Sequence, residues 1–462
     1  MRPSLRHKLF LFWVFFALIG AGYFITPSPA LCDYHLLKKF IIAYNQEALK
    51  ESLIDDTHRG EEGVLRIRPE IGKSFGIKVF IDQDYLESKK LFEKANVFLE
   101  DAKMALSSDE KAEKDHFQMI ADLFLSHKWS LELAKKKLAA YRSRLNASVD
   151  DRLNQTVSVE AMDRLLEETL KKTDYRLRDA LGLFFNICQA QDHGNLYLTP
   201  DNVTFVNQVF YGFINEASEK ELEMFDLDRD SGQHKNPSYN WKNAVEKRAA
   251  KYVPMFEASL EKSGNKIYNI DPLLFFALMK RESQFKALAV SPVGAVGLTQ
   301  IMPKTGKDLG MKKIYIPSYY GKAVSLMRKE RRTQEQAEAA LLLITETNKL
   351  SQARRARELM QQSLSLGKKR EKLFHKYKRE LLKKRADDRL KPALAIEHGL
   401  TYFARQMRAQ GGDMSLALAS YNAGPGAVRR YKGIPPYEET VYFRNKVLQY
   451  YRDYQKKVKD TP

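Results

Sequence analysis

The chain has 462 residues, and its 44% hydrophobic and 29% charged side chains make a globular balance that excludes a disordered chain. Two cysteines, Cys32 and Cys188, exclude a disulfide-dense scaffold and a four-cysteine zinc site. A net charge of +19, from 77 Lys and Arg against 58 Asp and Glu, calls for an anionic partner: nucleic acid, acidic lipid or an acidic polymer such as cell-wall glycan.

At the amino terminus Arg2, Arg6 and Lys8 precede an apolar run over 9–25 that Pro27 and Pro29 end. A positive start, a greasy centre and a small-residue exit are the order of a secretory signal. The run is long for a signal core and short for a relaxed membrane span, so 1–32 is either a signal peptide or a membrane anchor. Leu31, bulky before Cys32, argues against a lipid-attached cysteine. Both outcomes place the remainder outside the cytoplasm, which removes nucleic acid from the expected partners.

From 33 to 262 the pattern is mostly helical, with Leu91, Phe92, Ala95, Phe98 and Leu99, then Leu165, Leu166 and Leu170, at helical spacing. Gly60, Gly63, Pro69, Gly72 and Gly76 crowd one segment, which reads as loops with one or two short strands. Breaks follow at 193–201 and 226–237, and no internal repeat stands out. Asp226, Asp228 and Asp230 alternate, but Ser231 and Pro237 hold the sixth and twelfth places, where a calcium loop needs Gly and Glu; a solvated acidic turn is the better reading.

In the second half, Asp271 and Pro272 form a helix start. Glu282 follows Leu278 by four residues and Leu274 by eight, on the apolar face of that helix. Lost solvation raises a carboxyl pKa, and an acid still protonated near neutral pH can act as a general acid. A Glu paired with a basic residue near a helix end is the competing reading. Ser291-Pro-Val-Gly-Ala-Val-Gly-Leu-Thr-Gln-Ile-Met-Pro303 suits a tight loop or hairpin whose backbone approaches something closely. The stretch 312–390 holds 22 Lys and Arg against 9 Asp and Glu, which is 13 of the 19 net charges. It is rich in helix formers and predicts one or two long helices, with a hairpin turning near Gly367. It is either a solvated face or an electrostatic contact with anionic lipid or peptide carboxylates. A helix from Ser415 to Tyr421 stops at Asn422-Ala-Gly-Pro-Gly426, which puts Tyr421 and Asn422 at its mouth. No phosphate-binding loop, zinc-spaced histidine pair or Gly-x-Ser-x-Gly elbow is present.

In order and composition these segments, with Ala417-Leu-Ala-Ser-Tyr-Asn-Ala-Gly-Pro-Gly-Ala-Val428 and Glu439-Thr440, resemble the lysozyme-like catalytic domain of soluble lytic transglycosylases. The resemblance covers about 267–311 and 392–454, under a quarter of the chain. It implies a mainly α protein: a helical amino-terminal domain plus a lysozyme-like (α+β, mostly helical) catalytic domain carrying a long helical insertion. The expected divisions are 1–32, 33–262, 263–311 with 391–454, the basic insertion 312–390, and a tail 455–462.

The resemblance implies cleavage of the β-1,4 bond between N-acetylmuramic acid and N-acetylglucosamine with a 1,6-anhydro product. Glu282 would be catalytic, first as acid and then as base. Ser283, Ser291, Gln300, Met302, Tyr421, Asn422, Ala423 and Glu439 would bind substrate. No cofactor or metal is implied. The partners would be peptidoglycan glycan strands and, through the basic insertion, an anionic membrane surface, with no nucleic acid. The family Tyr four residues after Glu439 is here Phe443, and the insertion should emerge beside the groove. A hydrolase on the same fold and a non-catalytic glycan-binding scaffold are the rival readings.

Overall fold

The structure, a computed structural model, describes residues 34–54, 58–108, 113–191, 194, 196–230, 241–263 and 270–459. The apolar run 9–25, Cys32 and Gly232 lie outside them. The fold is mainly α, as expected; among the described residues β structure is limited to isolated bridges.

In the first half α1 (His35–Ile54) leads to a tight turn closed by an antiparallel bridge between Glu62 and Ile67. Pro69 then opens α2 (Pro69–Ser74). Asp82 caps α3 (Gln83–Ser107), and α4 (Lys114–Arg142) folds back on it as a hairpin. A single 3-10 turn at Asp151–Leu153 precedes α5 (Gln155–Lys172), capped by Asn154. Then come α6 (Leu177–Cys188), α7 (Val203–Glu216) and α8 (Glu219–Leu222), the last started by a Ser218–Glu221 capping box. Short α9 (Lys247–Ala250) and α10 (Val253–Ser263) link the halves.

The second half runs α11 (Pro272–Ser283), α12 (Pro303–Asp308), the basic hairpin α13 (Tyr320–Leu342) and α14 (Lys349–Lys384), and a 3-10 turn at Asp388–Leu390. It ends with α15 (Pro392–Ala409), α16 (Met414–Ala423), α17 (Pro425–Tyr431) and α18 (Glu438–Lys459).

Five apolar clusters hold the described elements, and three of them are large. One surrounds α11, where Phe256 stacks on Phe275 and residues from α15, α16 and α18 close the shell. A second fills the first half but takes in Ala419, Val428, Ile434 and Val441 from the second. A third joins the hairpin α3–α4 to the basic hairpin α13–α14 through Phe117, Phe124, Ala337, Leu341 and Ala353. The basic insertion is therefore two long helices packed against the first half along one face.

Three expectations need correction. The basic hairpin turns at 343–348, where Asn348 Oδ1 accepts from Thr345 N at 2.8 Å, and not near Gly367. Gly367 lies inside α14 because a Cβ there would sit 2.6 Å from the Glu330 carboxylate; it is a close-approach glycine, not a turn. Within the acidic stretch, Asp226 is exposed as expected but Asp228 is not solvated. Asp228 is buried and pairs with Arg444 at 2.6 Å and Arg452 at 3.2 Å, because those arginines on α18 face it.

Third, the chain does contain an internal repeat. Gly60-x-x-Gly63-x-x-x-Ile67-x-Pro69-x-x-Gly72-Lys73-x-x-Gly76 recurs as Gly294-x-x-Gly297-x-x-x-Ile301-x-Pro303-x-x-Gly306-Lys307-x-x-Gly310, and Asp150-Asp151-Arg152-Leu153 recurs as Asp387-Asp388-Arg389-Leu390. The repeat is hidden because only turn glycines, a helix-starting proline and buried partners are kept, while core positions need only stay apolar.

The buried pair of Asp387 and Arg389 ties the base of the insertion to the loop before α12. Arg389 donates to Asp387 Oδ1 at 2.9 Å and Oδ2 at 2.7 Å, to Ile301 O at 3.1 Å and to Gly294 O at 3.4 Å. Removing one member strands a buried charge, which costs about 3–5 kcal/mol. Asp387→Ala should lower the free energy of unfolding by about that amount in urea titration; a change under about 1 kcal/mol would show the pair to be dispensable.

Candidate active site

The site begins with α11. Asp271 Oδ1 accepts from Leu273 N at 2.8 Å, and Pro272 fits the first turn, where no N–H is needed. Residues 272–279 are all buried, so the helix sits inside the second half rather than on it. It stops where Gln284 and Phe285 take positive φ of 52° and 60°. Glu282 lies on the last turn, where packing encloses its carboxylate while part of the residue stays accessible.

Burial pushes the Glu282 carboxyl up to about 8; Arg281 pulls it down and Glu439 pushes it further up, and burial wins. Neither neighbouring cation neutralises it. Lys280 pairs with Glu246, and the Arg281 guanidinium lies 5.6 Å from the centre of the Phe443 ring. Among the described residues none makes a hydrogen bond or ion pair to Glu282. Phe443, in place of the expected Tyr, is buried in the core around α11.

The loop over 289–302 is a compact double turn. Gly297 N donates to Ala289 O at 2.9 Å, and Val296 and Ile301 exchange backbone bonds at 3.2 and 3.1 Å. Gly297, at φ 85°, presses on Arg389 O, where a Cβ would stand 1.9 Å away. Gln300 adopts φ 45° and gives its amide to Gly297 O at 2.8 Å and Ala289 O at 3.3 Å. Arg389 and Gly297 thus fix the loop from behind.

Tyr421 and Asn422 close the last turn of α16. Tyr421 donates to Thr299 O at 2.7 Å, and its ring packs 5.0 Å from that of Tyr402. Burial first, and the Glu282 charge second, hold its hydroxyl well above the usual tyrosine range, so it stays a neutral donor. Asn422 Oδ1 accepts from Thr440 Oγ1 at 2.7 Å. That bond joins the end of α16 to the start of α18, where Glu439 sits.

A cavity of about 230 Å³ opens here, lined by Gln300, Met302, Tyr421, Asn422 and Ala423 of the expected residues, together with Thr305, Tyr402 and Gly424. Neither Glu282 nor Glu439 lines this cavity; the Glu282 charge acts on Tyr421 in its wall, and the Glu439 charge acts on Glu282. Two expected residues face elsewhere. Ser283 is buried and turns its hydroxyl back to Met279 O at 3.2 Å. Ser291 Oγ accepts from Ala295 N at 2.9 Å and Val293 N at 3.3 Å and so caps the loop. Tyr402, Thr305 and Gly424 were not expected; nothing in 392–409 marks which helical face meets Tyr421. No group of three or more His, Cys, Asp or Glu among the described residues could hold a metal ion.

Residues 259–346 and 355–441 match the family model described as the transglycosylase SLT domain. Over 70 residues the chain is 39% identical to a membrane-bound lytic murein transglycosylase C of Haemophilus ducreyi, a match covering 15% of this chain and 18% of that protein. Over 61 residues it is 43% identical to a transglycosylase of Enterobacteria phage PRD1, covering 13% and 23%. The chain thus spans less than a quarter of the length of these relatives. An X-ray structure of an inactive mutant of lytic transglycosylase Slt from Pseudomonas aeruginosa aligns over 92% of this chain and 62% of its own, at 17% identity and a TM-score of 0.25.

The raised Glu282 carboxyl makes stability depend on pH. Its folded value, about 8, exceeds the roughly 4.3 of an unfolded chain, so ionisation opposes folding increasingly from pH 4.3 to 8. Glu282→Gln removes that penalty. The variant should match the wild type near pH 4 and become progressively more stable than it up to about pH 8, read by thermal unfolding across the series. A pH-independent difference would mean that the carboxyl is not perturbed.

Proposed function

We propose that this chain, whose second half carries a transglycosylase SLT domain, is a peptidoglycan lytic transglycosylase: it cleaves the β-1,4 bond between N-acetylmuramic acid and N-acetylglucosamine and leaves a 1,6-anhydro ring. The observation that carries the proposal is Glu282, an acid without a counter-ion among the described residues, pushed up to about 8, whose charge acts on Tyr421 in the wall of a cavity of about 230 Å³.

Near neutral pH Glu282 is mostly protonated and can hand its proton to the glycosidic oxygen as the bond to the anomeric carbon breaks. The resulting carboxylate takes the proton of the muramic 6-hydroxyl while that oxygen bonds to the anomeric carbon. Glu282 ends as it began and no water is consumed. One carboxyl suffices, unlike the paired carboxyls of most glycosidases. Glu439 supports the acid form because its charge disfavours a second one nearby. Tyr421, Asn422, Gln300, Met302 and Ala423 would grip the sugar, and Tyr402 would extend the aromatic wall. Ser283 and Ser291 would act through the backbone they hold.

The chain would work outside the cytoplasm in the cell envelope. The apolar run 9–25 and the membrane-bound relatives support this; among the described residues no helix is long and apolar enough to cross a membrane. Lys368, Lys369, Lys372 and Lys378 on the exposed side of α14 would meet an anionic surface.

Digestion of purified wall followed by mass spectrometry should give products one water lighter than those of a hydrolase. Glu282→Gln should lower the rate by about a hundredfold or more. Full-mass reducing sugars would identify a hydrolase, and binding without any cleavage a scaffold. Reversing the charge at Lys368, Lys369 and Lys372 should reduce sedimentation with phosphatidylglycerol vesicles at low salt and leave cleavage of soluble wall fragments unchanged; equal sedimentation would remove the membrane contact.

A further inference from the structure

The repeat extends from sequence to side-chain geometry. Arg152 donates to Asp150 Oδ1 at 2.9 Å and Oδ2 at 2.8 Å, to Gly60 O and Ile67 O at 2.9 Å each, and to Tyr141 OH at 2.6 Å. Arg389 makes the same five bonds, to Asp387, Gly294 O, Ile301 O and Tyr377 OH. A Cβ on Gly63 would stand 1.9 Å from Arg152 O, as one on Gly297 would from Arg389 O. Arg66 and Gln300, at matching places, both take positive φ, of 50° and 45°. The elements follow suit: α1 and α11, α2 and α12, the hairpins α3–α4 and α13–α14, α5 and α15, α6 and α16, α7 and α18. Helix α1 packs on α7 as α11 packs on α18.

We infer that residues 34–222 are a second copy of the transglycosylase-type unit, one that has lost its acid and closed its groove and now serves as a fixed partner subunit of the copy at 271–459. Counting from the carbonyls that accept the first helical bonds, Tyr34 and Asp271, Asn45 stands where Glu282 does, with Tyr44 and Gln46 on either side. Asn45 cannot give a proton at neutral pH and spends its amide on Val64 O at 2.9 Å. Phe184 and Phe185 stand in the last turns of α6, as Tyr421 does in α16, and neither carries a hydroxyl to bond the loop. The loop is strapped shut instead: Gln189 Nε2 donates to Arg66 O at 3.1 Å, and Arg68 donates to Gln189 O.

The face between the copies is built as a subunit interface. Asn207 on α7 donates to Ile434 O at 2.9 Å and accepts from Ile434 N at 3.1 Å; its counterpart Asn445 on α18 donates to Leu198 O at 2.6 Å. The two asparagines thus reach across the junction in opposite directions, as related residues do across a two-fold axis. Buried charges cross it as well. Arg178 pairs with Asp413, and Arg444 with Asp179 at 3.2 Å. Burial alone would raise Asp179, yet Arg444 and Arg452 outweigh it and hold the carboxyl well below its usual range. The silent copy thereby grips α16 and α18, the helices that carry Tyr421, Asn422 and Glu439, and makes Asn207 and Asp179 positioning residues.

This inference rests on the enzymatic reading of the second copy, and the test separates the two. Scanning calorimetry of the full chain should show one cooperative transition. Asn207→Ala and the more severe Asp179→Asn should lower its midpoint and reduce kcat on wall fragments about tenfold, with KM within about twofold, because Glu439 shifts relative to Glu282. Asn45→Glu in a Glu282→Gln background should restore no cleavage. Two independent transitions, unchanged kcat in Asn207→Ala, or cleavage regained by Asn45→Glu would each overturn the inference. A wild-type chain that melts as one unit but cuts no wall would sink the enzymatic reading and leave the subunit relationship standing.

Discussion

One buried guanidinium holds the architecture of the candidate site together. Arg389, locked by Asp387, collects the carbonyls of Gly294 and Ile301 and the hydroxyl of Tyr377. Those bonds fix the loop that carries Gln300 and Met302, close the base of the basic hairpin and set where α15 begins. Gly297 completes the lock by letting the loop backbone lie on Arg389 O. Such a pair is a poor source of net stability, since desolvation cancels most of the attraction. What it supplies is a single geometry, because any displacement leaves a buried charge unpaired. Its recurrence at Arg152, in the half where Asn45 stands at the place matching Glu282, separates this structural role from the proposed catalysis.

Around that lock, the proposed chemistry depends on one carboxyl being left alone. Lys280 and Arg281 stand next to Glu282 in sequence, and a bond from either would have kept it ionised. Helical geometry turns Lys280 towards Glu246 and Tyr450, and Arg281 lies over Phe443. The Phe443 ring lies 5.6 Å from that guanidinium, and a Tyr ring there would offer it the same face.

How much of this was legible in the chain varies with the kind of signal. Asp271-Pro272, the run into Glu282 and the glycine pair of the loop were readable because local rules govern them: a cap, a helical period, a turn. The hairpin turn was misplaced because glycine usually marks a turn, whereas Gly367 serves a close approach to Glu330 on the preceding helix. The repeat escaped notice for a related reason: its preserved positions are few and scattered.

By itself the sequence determined the mainly helical class, the acid on an apolar helix face, the glycine loop and the Tyr421-Asn422 helix end. These depend on spacing along one segment, which the backbone's own periodicity converts into a face or a turn. Only the tertiary structure decided that Lys280 and Arg281 leave Glu282 unpaired, that Ser283 and Ser291 bond to backbone, that Tyr402 joins the wall, and that the first half packs as a counterpart of the second. Those outcomes turn on which distant side chains share a small volume. A linear pattern does not encode that sharing, because many sequences satisfy the same apolar period while differing in what they bring together.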